Sequence, residues 1–293
     1  MIPKAITLLL MTEKGLAFAK KALSEYSDSI QSVVIGQDRA VANDYSSDIA
    51  SLCEKYGVNY TFREDSMLIT SQFVIAVSWR WLIDHPQDKL IVFHDSLLPR
   101  YRGFAPLVNS LINGEHVIGV TALFGAAEYD KGQIITQESI SISYPITVHE
   151  AIEKLTSCYI AAGDTVLKRI AAGLSLDSYI QDESNASYSL WRDDNDYRIN
   201  WSKSSAEIRR TVDALGHPFK GASCLLNGEQ CRILQVEECA DVRIENRDIG
   251  KVIFLRDMYP VVVCGVGLLV IKQCFSEAGV DLLPLAKFRS RFE

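Results

Sequence analysis

No uncharged apolar run in this 293-residue chain approaches the about 18 residues that a membrane-spanning helix needs. The chain therefore reads as having no membrane span. Its N-terminal MIPKAITLLLMTEKG lacks a small-residue cleavage site and runs into a charged segment, which fits a first strand rather than a signal peptide. Cys-x-x-Cys pairs are also missing: Cys53, Cys158, Cys224, Cys231, Cys239, Cys264 and Cys274 are odd in number and scattered. This argues against a disulfide framework and against any metal site, and for reduced, mostly buried thiols in a cytoplasmic protein. Positive charge is scarce, with 30 Lys and Arg against 37 Asp and Glu. The whole-domain basic footprint of a nucleic-acid binder is thus absent. Repeats and low-complexity runs are absent as well. With 48% hydrophobic and 23% charged residues, the composition is that of a folded chain, long enough for two domains.

What is present is an alternation of apolar strands and amphipathic helices. Strands are expected at 4–10, 29–36, 59–64, 73–78 and 90–94, with helices at 14–26 and 46–57 between them. Continuous apolar strands separated by helices predict an α/β domain: a Rossmann-like open, largely parallel sheet with helices on both faces. A helix at 105–115, strands at 116–125 and 133–143 and a long helix at 148–173 follow. The polar stretch 181–200 reads as a linker between a first domain, 1–180, and a second, 201–293. The second opens with a helix at 204–217 and continues as short strands with an Asn227-Gly228 hairpin signal, a small C-terminal all-β barrel-like domain.

Ligands of open parallel sheets sit outside the carboxyl ends of the strands. Ser78-Trp79-Arg80 and His94-Asp95 both fall at such ends. His94 precedes a turn-rich loop, Ser96 to Gly103, where a neutral imidazole can take a proton from an attacking amine. Asp95 is adjacent in sequence, but neighbours in a strand point to opposite faces, so Asp130 is the better acid partner. Leu97 and Leu98 read equally as loop anchors or as a ligand wall. Trp79 and Trp81 read equally as packing or as ligand contacts. Arg80, Arg100 and Arg102 suit oxyanions, with a solvated role the expectation for Arg100. The loop after the first strand, 11–15, lacks Gly-x-Gly-x-x-Gly and is only a weak nucleotide candidate through Thr12.

HDSLLPRYRGFAPLVNSLINGE (94–115), GVT (119–121) and DKGQIITQ (130–137) together resemble the folate-dependent formyltransferases. RINW (198–201), IRRTVDALGHPFKGA (208–222) and VVVCGVGLLVI (261–271) are similar to the carboxy-terminal β-domain of that family. The nearest pattern is that of the sugar-nucleotide N-formyltransferases of bacterial cell-surface polysaccharide. The resemblance implies N10-formyltetrahydrofolate as co-substrate, His94 and Asp130 as catalytic residues, and a nucleotide-linked amino sugar as acceptor. It further implies a folate pocket from Val77, Ser78, Trp79, Leu97, Leu98, Ala126, Ala127, Glu128 and Tyr129, with Thr12, Arg80 and Arg102 toward the acceptor. The family pattern Asn-x-His-x-Ser-Leu-Leu-Pro has Val92 at its asparagine here. Phe104 stands where one member of that sugar-nucleotide group, the enzyme that acts on aminoarabinose, carries an arginine. An initiator methionyl-tRNA formyltransferase is the alternative. Its typical Gly-Thr-Pro opening is replaced by Met11-Thr12-Glu13, and residues 201–293 hold 13 basic against 12 acidic residues, too few for the phosphates of a nucleic acid. A folate-binding relative without transfer activity and a formate-releasing hydrolase are the other readings. A homodimer is left open.

Overall fold

The computed structural model describes residues 4–38, 43–65 and 68–293. In chain order the elements are β1 (Ile6–Leu10), α1 (Thr12–Tyr26), β2 (Ile30–Ile35), α2 (Ser46–Tyr56), β3 (Asn59–Phe62), β4 (Phe73–Val77) and β5 (Leu90–His94). There follow β6 (Arg102–Gly103), α3 (Pro106–Asn113), β7 (Val117–Phe124), β8 (Ile134–Ser141), α4 (Val148–Ala171), β9 (Tyr188–Ser189) and α5 (Ser205–Leu215). The chain ends with β10 (Ala222–Leu226), β11 (Glu229–Cys239), β12 (Val252–Arg256), β13 (Tyr259–Val263) and β14 (Leu268–Ser276). None of the described helices is long and apolar enough to cross a membrane.

Two compact units result. The first holds the chain up to Pro106 together with Val117–Ser141 and Ile152–Ser189. Its seven-stranded sheet has the order β3-β2-β1-β4-β5-β7-β8. The first five strands are mutually parallel, β7 runs against them and β8, antiparallel to β7, runs with them, so the sheet is largely parallel and Rossmann-like, as expected. The strand order reverses between β1 and β4, the switch point at which such sheets open a crevice at their carboxyl edge. Period-2 alternation along β5 divides its residues between two faces. Phe93 packs between Phe18 of α1 and Tyr159 of α4, with ring centroids 5.2 and 5.8 Å away. On the opposite face Leu9, Val34, Val74, Ala76 and Leu90 form a core that Ile69, Trp79, Ile83 and Val92 cover.

Residues 181–189, expected as the start of a linker, are instead bonded into this unit. Ser189 and Tyr188 form β9 and pair in parallel with β6, and Gln181 is buried. The cause is Arg102, whose side chain is 0% exposed. Its guanidinium donates to Gln181 Oε1 and to both carboxylate oxygens of Glu183, so the polar composition of this stretch serves an internal charge. Burying a guanidinium without such acceptors would be prohibitive.

The second unit holds Leu107–His116, Ile142–Ala151 and Leu190–Glu293. Its five-stranded antiparallel sheet has the order β10-β11-β14-β13-β12. Asn227 (φ 53°) and Gly228 (φ 89°) make the two-residue turn between β10 and β11, a geometry requiring positive φ at both positions. The last residues close the sheet: Phe292 bridges Leu226 of β10, while Arg291 bridges Lys251 beside β12. Joining the two edges in this way makes the barrel-like shape and leaves fewer open strand edges. Six of the seven cysteines are buried.

Helix α5 starts on a capping box, Ser204 with Glu207, and carries one poorly solvated acid. Burial pushes the Asp213 carboxyl up to about 6, against the pull of Arg209 3.5 Å away and with help from Glu150 and Glu238. A carboxyl raised in the folded state binds its proton more tightly than the unfolded chain does. Its contribution is therefore complete below about pH 4 and is lost as pH rises through about 6. Asp213→Asn is expected to raise stability at pH 7.5 by about 1–3 kcal/mol and to do nothing at pH 4, as read from thermal midpoints. A loss at pH 7.5 would mean that the Arg209 pair outweighs the burial penalty.

Candidate active site

His94 ends β5, at the carboxyl edge of the parallel strands, and is 8% exposed. Its two ring nitrogens face different partners. Nε2 lies 2.8 Å from the carbonyl oxygen of Tyr101, and Nδ1 lies 3.5 Å from Oδ1 of Asp130. A carbonyl only accepts, so Nε2 carries a hydrogen in this arrangement. Asp130 is held in turn, its Oδ2 accepting from the Gly103 N–H at 2.7 Å and its backbone oxygen from Gln181 Nε2 at 2.6 Å. The pairing of His94 with Asp130, distant in sequence, is therefore present, and every group in it belongs to the first unit.

Two glycines make this approach feasible. At Gly132 of the Asp-x-Gly segment a Cβ would fall 1.7 Å from the Phe124 carbonyl oxygen. At Gly103, φ is +99° and a Cβ would meet Ser189 O at 2.6 Å. Non-glycine residues at positive φ gather around the same region: Thr12 (61°), Ser78 (55°), Tyr101 (59°), Ala105 (46°) and Asp130 (56°). Threonine is β-branched and rarely adopts this conformation, so the β1–α1 junction is strained. Thr12 Oγ1 is buried there without a hydrogen-bond partner.

Asp95 turns to the other face, as alternation requires. It is ion-paired with Lys14 and accepts a hydrogen bond from the Tyr159 hydroxyl. Burial alone would raise its carboxyl, but the charge and hydrogen bond of Lys14 and the hydrogen bond of Tyr159 bring it below its ordinary value. Burial and the neighbouring Asp95 carboxylate hold the Tyr159 hydroxyl well above its own. Sequence inspection singled out none of this network except Asp95. The pairing spans 64 and 81 residues, and no local pattern encodes it.

The expected folate residues distribute as follows. Val77 is buried at the end of β4, beside Phe93 in register, and Ser78 follows it. Trp79 packs on the sheet core and lies 4.9 Å from Trp81, whose own ring is covered by Arg63 at 4.1 Å, so both indoles are engaged in packing. Leu98 is a core anchor with Leu123 and Ile134. Leu97 lies over Gly119, where a Cβ would come 2.5 Å from its Cδ2. Ala126, Ala127, Glu128 and Tyr129 are exposed, and Tyr129 meets Phe104 at 5.7 Å. Arg80 is 2.8 Å from Asp38. Arg102 corrects the expectation of an acceptor-binding arginine: its hydrogen bonds to Gln181, Glu183 and Tyr188 leave it buried and fully engaged.

Val92 lies on the same face as His94, packed against the sheet core on one side and against Leu98, Leu123 and Ile134 on the other. The backbone of 126–129 is exposed and outside any strand. Exposed main-chain donors and acceptors of this kind can orient a ligand.

Comparison with known proteins identifies the family. A family model described as formyl transferase matches residues 18–161, and one described as the formyl transferase C-terminal domain matches residues 192–284. Methionyl-tRNA formyltransferase of Syntrophomonas wolfei is 32% identical over 231 residues, covering 75% of this chain and 71% of the relative. The enzyme of that name from Moorella thermoacetica is 33% identical over 179 residues, covering 59% of this chain and 56% of the relative. Among solved structures, an N-formyltransferase from Helicobacter canadensis in complex with folinic acid and dTDP-3-aminofucose superposes with a TM-score of 0.72. It is 18% identical, over 94% of this chain and all of that one. WlaRD, a sugar 3N-formyl transferase, superposes at 0.67 with 20% identity, over 91% and 96%. A methionyl-tRNA formyltransferase from Clostridium thermocellum superposes at 0.53 with 14% identity, over 80% and 92%. With both domain models matched in order and a relative aligned over most of its length, the chain belongs to the family of folate-dependent formyltransferases.

Proposed function

We propose that this protein transfers the formyl group of N10-formyltetrahydrofolate to the primary amine of a nucleotide-linked amino sugar. The observation carrying the transfer is the His94–Asp130 pairing at the sheet's carboxyl edge. When bound, N10-formyltetrahydrofolate supplies an electrophilic formyl carbon and a leaving nitrogen. Val77, Ser78 and the 126–129 backbone would hold it beside His94. His94 would accept the proton of the attacking amine and return it on the leaving-group side, a role worth ~10²–10⁴ in rate. Asp130 would stabilise the charged ring and fix its orientation. With the hydrogen on Nε2 held by the Tyr101 carbonyl, Nδ1 beside Asp130 is the ring nitrogen left to take the amine proton.

The preference for a sugar acceptor over a tRNA rests on charge. In residues 201–293 at least seven of the 13 cations already have a carboxylate within 4 Å: Arg209, Arg232, Arg243, Arg247, Lys251, Lys272 and Arg291. Locally neutralised cations release few counterions from a phosphate backbone. The similarity of the fold to sugar N-formyltransferases supports the same reading. The sequence relatives named for methionyl-tRNA keep the tRNA as the second. The test is tetrahydrofolate release from N10-formyltetrahydrofolate with a panel of nucleotide amino sugars, with charged initiator tRNA, and with no acceptor. Release requiring the tRNA would overturn the sugar reading, and acceptor-free release would indicate a hydrolase.

Val92 leaves the developing charge on the formyl oxygen without the amide donor of the family pattern. Val92→Asn is expected to change the transfer rate by less than ~3-fold and to lower the thermal midpoint. Inserting an amide among Leu98, Leu123 and Ile134 costs about 1–3 kcal/mol if it stays unpaired. A gain of ~10² in rate would instead mean that the native site lacks an oxyanion donor.

A further inference from the structure

Thr121 is 0% exposed and stands opposite His94 in the β5–β7 pairing. Its hydroxyl is fully used. It donates to Ser96 O at 2.6 Å and accepts from Leu98 N–H at 3.1 Å and from Gln137 Nε2 at 2.8 Å. Gln137, opposite Thr121 on β8, also donates to Leu98 O at 2.9 Å, and its Oε1 accepts from the Tyr179 hydroxyl at 3.1 Å. One hydroxyl and one carboxamide thus satisfy three main-chain groups of the loop that leaves His94. The loop then closes on itself, Ser96 Oγ donating to Arg100 O at 2.7 Å. Its next two steps bring the Tyr101 carbonyl to His94 Nε2 and the Gly103 N–H to Asp130.

We propose that Thr121 and Gln137 are positioning residues for the His94–Asp130 pair, acting through the 96–103 loop without touching a reactant. The need for them follows from Val92. A polar side chain two residues upstream, on the same face, would help to align the imidazole, whereas valine contributes only packing. Ring orientation then depends on the loop carbonyl at Tyr101 and on Asp130, and both depend on where the loop is held. Thr121 and Gln137 fasten it to β7 and β8, the two strands that lead into and out of the Asp130 turn. One clamp therefore sets both members of the pair relative to each other.

The proposal rests on His94 being the base, and the experiment separates the two ideas. Thr121→Val keeps shape and removes the hydroxyl, Thr121→Ser restores it, and Gln137→Leu is a second, independent break. With the acceptor identified by the panel above, Thr121→Val is expected to lower kcat by ~10–10² with KM within ~3-fold, and Thr121→Ser to stay within ~3-fold of the native rate. A second readout needs no turnover. In ¹⁵N spectra of the imidazoles, with His94 assigned from the signals lost in His94→Gln, the native ring should hold one tautomer with hydrogen on Nε2. Thr121→Val and Gln137→Leu should give averaged nitrogen shifts. A folded Thr121→Val that keeps both native kcat and a single fixed tautomer would overturn the clamp. So would a folded Thr121→Ser that fails to recover them. A native rate in His94→Gln would instead remove the base assignment, while the tautomer signals of the Thr121 variants still decide the clamp.

Discussion

His94→Ala should abolish formyl transfer and leave the protein folded. The ring is nearly buried, but its bonds are few: one to a main-chain carbonyl and one longer approach to Asp130. Asp130 keeps its bond from the Gly103 N–H when the ring is gone, so no carboxylate is stranded without a donor. The stability loss should stay near the average for a point mutant, about 1 kcal/mol. The rate loss should be at least ~10²–10⁴, the usual worth of a positioned acid–base group. Circular dichroism and thermal melts would establish the fold, and tetrahydrofolate release the activity. A folded alanine variant at near-native rate would remove His94 from the chemistry. Asp130→Asn is the companion: its amide oxygen can still accept from Gly103, so geometry survives while the charge opposite the imidazole is lost.

A larger effect on stability is expected one residue away. Asp95→Ala leaves the Lys14 ammonium, whose side chain is 13% exposed, without its counter-charge, and leaves the Tyr159 hydroxyl without its acceptor. Removing one partner of a buried ion pair typically costs about 3–5 kcal/mol. For a chain of this size that corresponds to a fall of roughly 10 °C in thermal midpoint. The pair Lys14→Met with Asp95→Leu should recover much of the loss, because it removes both desolvated charges together. The direction with pH follows from the depressed carboxyl of Asp95. A group whose folded value lies below its unfolded value of about 3.9 stabilises the fold at all pH values above that point. Its contribution disappears as pH falls below about 4 and through the folded value. Native protein should therefore lose stability in acid more steeply than Asp95→Asn does, as chemical denaturation at pH 3 and pH 7 would reveal. Equal acid sensitivity would mean that the Lys14–Asp95 pair contributes nothing net.

These two predictions concern neighbours in sequence with opposite duties, and the difference is one of face. Along β5 the side-chain period of 2 sends His94 toward Tyr101 and Asp130, and Asp95 toward Lys14 and Tyr159. The first direction leads to the proposed catalytic pair. The second ties the end of the strand to α1 and α4 behind it.

The order of strands and helices, the parallel character of the first sheet, the Asn227-Gly228 turn and the position of His94 at a strand end were legible in the residues. These are local properties: apolar periodicity, turn residues and strand direction are written in adjacent residues. Asp95 could be set aside as the partner of His94 from alternation alone. The rest emerged from long-range packing. Arg102 suits an oxyanion when read as one of a set of loop guanidinium groups with Arg80 and Arg100, yet Gln181 and Glu183, about 80 residues on, bury it. The polar stretch that holds them read as a linker because composition does not disclose which polar groups have partners inside the fold. Lys14 and Tyr159 carried no signal, and Thr121 and Gln137 only their place in the GVT and DKGQIITQ motifs, which assigned them no role. Their roles come from pairings 16 to 81 residues apart, made when β-strands and helices distant in the chain are brought side by side. Propensity and pattern act over a few residues, whereas a hydrogen bond is satisfied by whatever group the fold delivers to it.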